Sequence, residues 1–419
     1  MFELRIAGGM IALTASLLLD SAVVRADAVL DWNVIALKTT AAAPFNPPLE
    51  GRNLAIVHAA IFDAVNSITR DYRSYAVKLH APGASPDAAA VAAAHLVLVR
   101  LYPEQQPVLD AAYTASLAAI PDGPPKMSGL AVGQAVASLM LTMRESDGAA
   151  AAIDAPYTPG TRPGDWIPTP GAFRPPLDPG WGSVRPFVLQ DGAQFRPGAP
   201  PALDSRRYTR DFEEIKEIGS STSATRTQDQ TDLARVWIAT AAQNWNPVAR
   251  EAAVVQRLTL SQNARLFALL NLAGADAFIA AWDAKFTYNQ WRPVTAIRAA
   301  DTDGNDDTVA DPLWTPLIVT PPFPDYIAGH TTFAGAAQQV LEHVFGRRLG
   351  LVITLTSPTA PGVVETYSTF EEMADGVVDA RVFGGIHWRT SSARGRAVGE
   401  EVGRYAVRHF LGRMRGNDW

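Results

Sequence analysis

Three short segments in the second half of the chain set cations, glycines and histidines at spacings that suit an oxyanion. In KFTYNQWRP, Lys285 and Arg292 are seven residues apart. On a helix that is almost two turns, so both cations are expected to point the same way, about 10 Å apart along the axis. Pro293 disfavours helical geometry at Arg292 and sets the guanidinium at a helix end. The flanking Trp282, Phe286 and Trp291 argue against a fully wet basic face, because a cation among rings must be paired or lie over one.

The second segment is FPDYIAGHTTFAGAA, residues 323–337. Gly329 lets the backbone approach a ligand closely. The small-residue run after it reads as a helix, whose first N–H groups and dipole end attract an anion. His330 then sits at the rim, placed for proton transfer. The third segment is DARVFGGIHWRTSS. Arg381 ends a helical run, Gly384 and Gly385 break it, and His387 precedes Thr390, Ser391 and Ser392, any of which suits the N-cap of the last helix. Arg381 and His387 do not share a helix face, but the Gly-Gly break allows them to converge.

Each segment alone also fits a plain role: a solvated basic face, a helix-start histidine, an interhelix connection. Together, three cations, a glycine-opened helix N-terminus and two histidines describe a tetrahedral-oxyanion site. Arginine gives planar, bidentate oxygen recognition and lysine a point charge. One histidine can serve as ligand or nucleophile and the other as acid-base group.

The elements that must position these residues read as helices. Residues 50–150 carry apolar positions at helical spacing, such as Leu54, Val57, Ile61 and Val65, in Ala-rich segments that favour close packing. His58 and His95 lie inside these helices and read as core or interface residues. Twelve of the 31 prolines fall in residues 154–203, which predicts a long irregular connection. Its aromatics (Trp166, Phe173, Trp181, Phe187) predict that it packs over the helices. Helices resume near Tyr208 and include one that starts in TQDQTDLARVWIATAAQNW, the long apolar stretch ending at Pro293, and an amphipathic last helix. RLGLVITLT is the best strand candidate. The fold class is all-α: helical bundles with a Pro-rich connection. The expected organisation is a leader over 1–26, an N-terminal helical region with the Pro-rich connection over 27–207, and a helical core over 208–419.

Composition narrows the function. A net charge of −6 excludes a nucleic-acid partner as the first reading. With no cysteine, disulfides, thiolate metal sites and cysteine nucleophiles are excluded. No HExxH motif or Cys-His cluster suggests zinc. His80 reads as a loop residue, and His343 and His409 as late helix residues. At the N-terminus, Arg5, the apolar run IAGGMIALTASLLL and small residues near Ala26 read as a signal peptide, so the chain is expected to be exported, periplasmic or secreted. No other window reads as a bilayer span, and no stable span is expected after leader removal. The long amphipathic faces leave room for a homodimer.

The order and spacing of the three segments resemble the signature of the vanadium haloperoxidases and type 2 phosphatidic acid phosphatases: K-x6-R-P, P-S-G-H and S-R-x5-H-x3-D. Weaker similarity in RNLAIVHAAIFDAVNSI, VRPFVL, QFRPGAPPAL and EIKEIGSSTSATRTQDQTD extends it over most of the chain, towards the exported bacterial haloperoxidase-like branch. The resemblance implies a site for vanadate or a phosphate ester. It implies that Lys285, Arg292, Arg381 and the Gly329 amide bind the oxygens. His387 would be the metal ligand or the phosphatase nucleophile, and His330 the acid-base group. Trp282 and Phe323 would line the halide side. The implied activity is oxidation of halide by hydrogen peroxide to a hypohalous acid equivalent, which a small organic acceptor consumes. The alternatives are an acid phosphatase with a histidine nucleophile and a non-catalytic oxyanion-binding protein.

Three departures stand out. Ala328 replaces the serine before Gly-His, at a cost of about 1–3 kcal/mol in oxyanion binding, unless Thr331 substitutes. Ala380 replaces the serine before Arg381. Ser391 replaces the aspartate that orients the nucleophilic imidazole in the phosphatases, which disfavours phosphatase chemistry.

Overall fold

Asp27 caps the first helix, its carboxylate accepting from the amides of Val29 and Leu30 at 2.9 and 3.2 Å. The structure is a computed structural model that describes residues 27–414 apart from 349 and 351, so the expected leader lies outside the described residues. Five helices follow in the first third: α1 (Ala28–Ala41), α2 (Pro47–Thr69), α3 (Pro86–Leu101), α4 (Gln106–Ala118) and α5 (Pro124–Glu145). Asn46 and Ser85 cap α2 and α3 with their side chains. Helices α2, α3 and α5 pack on one another. The approach is close because the facing residues are small: a Cβ on Gly133 of α5 would lie 2.3 Å from the Ala89 carbonyl of α3.

A short α6 (Ala149–Ile153) leads into the Pro-rich connection, which is irregular as expected. It is strapped to the helices. Asp276 accepts from the amides of Phe187, Val188 and Leu189 at 2.7, 2.7 and 2.8 Å. Trp166, Trp181 and Phe187 are buried, but Phe173 is 65% exposed and does not join the core.

The second half comprises α7 (Arg206–Ile218), α8 (Gln228–Val236), α9 (Ala241–Val255), α10 (Leu260–Tyr288), α11 (Pro293–Arg298), α12 (Gly329–Phe345), α13 (Phe370–Phe383) and α14 (Arg389–His409). Between α12 and α13, β1 (Ile353–Leu355) pairs antiparallel with β2 (Glu365–Tyr367). The stretch expected to continue through Trp245 is two helices, each restarted by a threonine cap, Thr227 on α8 and Thr240 on α9.

Helix α10 is the axis of the fold. It is apolar on nearly all sides and packs against α2, α12 and α14. Its length and mean hydropathy of 1.4 would suffice to cross a bilayer, contrary to the expectation that no window past the leader does. Here 94% of its apolar window is buried inside the protein. Helices α12 and α14 meet across glycines: a Cβ on Gly399 would lie 1.9 Å from the Thr332 carbonyl, and one on Gly335 2.2 Å from that of Arg396.

Candidate active site

Helix α10 stops where Asn289 takes a left-handed conformation, φ 49°, as its C-cap. Lys285 is in its last turn, whereas Arg292 lies beyond it as the extended N-cap of α11, φ −84° and ψ 155°. The two cations therefore do not share a helix face, as the seven-residue spacing suggested. They converge because the chain turns between them.

Both are fully buried and both brace the segment that enters α12. Lys285 Nζ donates to the carbonyls of Pro324 and Asp325, each at 2.8 Å. Arg292 Nε donates to the Phe323 carbonyl at 2.7 Å, and Nη1 to that of Ile386 at 2.6 Å. Both cations also lie over the Phe323 ring, at 4.9 and 4.7 Å from its centroid. Arg381, in the last turn of α13, donates through Nη1 to the Trp237 carbonyl.

Helix α12 begins at Gly329, after Ala328, with no side-chain cap. Its first helical bond runs from Thr332 N to Ala328 O, so the amides of Gly329, His330 and Thr331 precede the intrahelical ladder. Thr331 does not stand in for the missing serine. Its hydroxyl donates back to the Ala328 carbonyl at 2.9 Å and faces Gly395 of α14. Helix α14 has Trp388 at its N-cap, so Thr390, Ser391 and Ser392 lie inside it and none caps it. Asp211 of α7 serves that end, accepting from the Thr390 amide at 2.9 Å.

His387 sits between the Gly384–Gly385 break and α14, 2% exposed. Its Nδ1 is 3.1 Å from Oδ2 of Asp325, a fully buried carboxylate, at an angle too bent for a well-formed hydrogen bond. Arg292 Nη1 lies 3.1 Å from His387 Nε2 and 3.4 Å from its Nδ1, nearer the former. Guanidinium only donates, so the pair of contacts favours the tautomer with the proton on Nδ1 and the lone pair on Nε2. His330 Nε2 donates to the Ala239 carbonyl at 3.0 Å, which leaves its Nδ1 free to accept.

Asp325 was not singled out by sequence reasoning, although it lies in the same segment as His330. It sets a carboxylate beside the His387 imidazole, as an aspartate at position 391 would, from a different part of the chain. Ser391 donates instead to the Asp325 backbone carbonyl at 3.2 Å. The replacement at 391 therefore no longer argues against a phosphatase.

One cavity of about 200 Å³ opens onto Gly329, His330, Arg381 and His387 on one side and Trp282, Phe278 and Phe323 on the other. The Trp282 and Phe323 ring centroids are 4.8 Å apart, the rings tilted by 50°. Lys285 and Arg292 lie one layer behind this wall. The electrostatics call for an anion. Burial, then the neighbouring Arg292, push the Lys285 ammonium well down. Burial pushes Arg292 down to about 10 and Arg381 to about 9. Burial and these cations hold both site histidines well below the ordinary range. Asp325, pushed up to about 6 by burial, is the carboxylate that faces them. Two buried donors, Arg292 Nη2 and Arg381 Nε, have no hydrogen-bond partner among the described residues. An oxyanion fits this donor set on charge and on hydrogen bonding.

A family model described as the VCPO second helical-bundle domain matches residues 265–416, which span all three motif segments. The vanadium chloroperoxidase of Curvularia inaequalis is 25% identical over 490 residues, covering 88% of this chain and 80% of that protein. A structure described as the first bacterial vanadium-dependent iodoperoxidase superposes with a TM-score of 0.79 at 27% identity, covering 93% of this chain and 97% of its own. Over most of its length the chain is similar to vanadium haloperoxidases, and its C-terminal third matches that family's second helical-bundle domain. A holo-type bacterial vanadium-dependent chloroperoxidase, at 19% identity and a TM-score of 0.71 over 87% of this chain and 91% of its own, shares the fold. In this fold, the Pro-rich strap and the glycine contacts between α12 and α14 bring Gly329, His330, Arg381 and His387 around one cavity.

Proposed function

We propose that this chain is a vanadate-dependent haloperoxidase that uses hydrogen peroxide to oxidise halide. The observation that carries the reading is a cavity lined by Arg381, His330 and His387, with the buried Arg292 against His387, facing an apolar wall of Trp282 and Phe323. Its named relatives, a chloroperoxidase and an iodoperoxidase, support it.

Lys285, Arg292, Arg381 and the Gly329 amide would hold the oxygens of vanadate, and His387 Nε2 would be its protein ligand. When bound, vanadate supplies a Lewis-acid centre that activates peroxide toward halide without changing oxidation state. The chain's own residues do the rest. Asp325 beside Nδ1 keeps the His387 lone pair on Nε2 and fixes the ring's orientation. His330 Nδ1 takes a proton from incoming peroxide and returns one to the departing oxygen. The two arginines and the α12 N-terminus hold negative charge where it gathers. The Trp282 and Phe323 rings keep water off the halide side and strengthen those interactions. Export after cleavage near Asp27 accords with a cysteine-free chain that makes an oxidant.

A second reading has one observation in its favour. The Asp325–His387 pair is also what a histidine nucleophile needs, which suits an acid phosphatase. The deciding experiment assays purified protein for peroxide-dependent bromination with and without vanadate, beside aryl-phosphate hydrolysis without vanadate. Bromination that requires vanadate supports the haloperoxidase. Phosphate release that vanadate inhibits, without bromination, would replace it with the phosphatase. Vanadate binding with neither activity would leave an oxyanion-binding protein.

A further inference from the structure

A second cavity, of about 290 Å³, adjoins the first. One side is the Pro-rich strap from Thr169 to Arg174. The other is formed by Val294 and Arg298 of α11 and by the segment from Thr315 to Thr320. Arg174 and Val319 line both cavities, so the chambers meet at that pair.

Three features of this cavity have no role in the fold. Phe173 and Val319 are 65% and 80% exposed at its rim. Thr320 lines the cavity, and its hydroxyl, buried just beneath, has no hydrogen-bond partner among the described residues. Arg174 is exposed, with no hydrogen-bond or ion-pair partner among the described residues. The strap that carries it is held in place: Leu177 N donates to the Pro322 carbonyl at 2.8 Å, and Trp282 Nε1 to the Leu177 carbonyl at 3.1 Å. Arg298 is fixed through Nε to the Trp314 carbonyl at 2.8 Å, leaving its outer nitrogens for a ligand.

We propose that this cavity binds the organic acceptor, and that the acceptor is a small aromatic acid. Its ring would lie against Phe173, Val294 and Val319. Its carboxylate would face Arg174 and Arg298, and a phenolic hydroxyl would reach Thr320. The proposal rests on the haloperoxidase reading for its chemistry. Hypohalous acid made beside His330 passes the Arg174 and Val319 boundary. A ring carbon attacks the halogen, the carbon–halogen bond forms and the oxygen–halogen bond breaks. The released hydroxide takes the ring proton and leaves as water.

The test is calorimetric titration of the vanadate-free full chain with 4-hydroxybenzoate, with 4-methylphenol as the uncharged control. Saturable binding of the acid is expected, weakened about tenfold in Arg174→Ala and for the uncharged control, the order of one charge-assisted hydrogen bond. The isosteric Thr320→Val is expected to weaken it about threefold. With vanadate, peroxide and bromide, Thr320→Val should raise KM for the acid while bromide-dependent peroxide consumption stays at the wild-type rate. Absence of saturable binding, or binding that neither variant weakens, overturns the proposal. Binding intact in a chain that oxidises no halide overturns instead the chemistry assigned to the first cavity, since the titration contains no vanadate.

Discussion

Oδ2 of Asp325 stands 3.1 Å from Nδ1 of His387, both side chains buried, across 62 positions of sequence (387 less 325). The carboxylate beside Nδ1 favours the proton there and the lone pair on Nε2, which faces Arg292 Nη1 at 3.1 Å. Asp325→Asn should therefore weaken vanadate binding by about 10–100-fold, the usual range for a residue that orients a metal ligand. Equilibrium dialysis against vanadate checks this, with circular dichroism to show that the helices persist. Unchanged or tighter binding would mean that Asp325 acts only as a countercharge.

Ala328 offers a gain-of-function test. A serine there would supply both the missing N-cap of α12 and a hydroxyl at the mouth of the proposed anion site. Ala328→Ser is expected to raise stability by about 1 kcal/mol and to tighten vanadate binding. Thermal melting and a vanadate titration read the two effects separately. Ala328 is fully buried, so a fall in stability would mean that the oxygen has no room.

The glycine contacts between α12 and α14 tie the fold to the site, because His330 opens the first helix and His387 precedes the second. Gly399→Ala sets a methyl group against the Thr332 carbonyl. It should cost about 1–3 kcal/mol in urea unfolding and shift the two histidines apart, lowering vanadate affinity as well. Stability loss with affinity unchanged would show that the helices adjust away from the site.

His58 sets a pH dependence remote from the cavity. It is fully buried on α2, its Nδ1 has no hydrogen-bond partner among the described residues, and burial pushes its pKa from the ordinary 6.5 down to about 3. Between these values the unfolded chain holds the extra proton. Stability from this residue is therefore complete above 6.5 and declines as the pH falls toward 3. The slope is about 1.4 kcal/mol per pH unit for one proton. Urea midpoints between neutral and mildly acid pH should fall less steeply in His58→Gln than in the wild type. Parallel slopes would contradict the assignment.

The residues of the cavity were legible in the sequence because a three-part spacing carries them, and spacing survives when the geometry behind it is read wrongly. Lys285 and Arg292 do meet, but through the left-handed turn at Asn289. Asp325 gave no signal, because its partner is far along the chain and nothing periodic links them. Thr390, Ser391 and Ser392 looked like caps by type, yet Asp211 from another helix serves that end of α14. The all-α class followed from apolar periodicity. The burial of α10 did not, since hydropathy cannot tell a core helix from a membrane one. The second cavity had no trace in the sequence, because it is made by a strap crossing a loop.

The most direct measurement is the vanadate affinity and vanadate-dependent bromide oxidation of His387→Ala and His330→Ala beside the wild type. His387→Ala should lose both. His330→Ala should keep vanadate while turnover falls by about 10²–10⁴-fold, the share of a general acid-base group. Undiminished vanadate binding and bromide oxidation in His387→Ala would contradict the account.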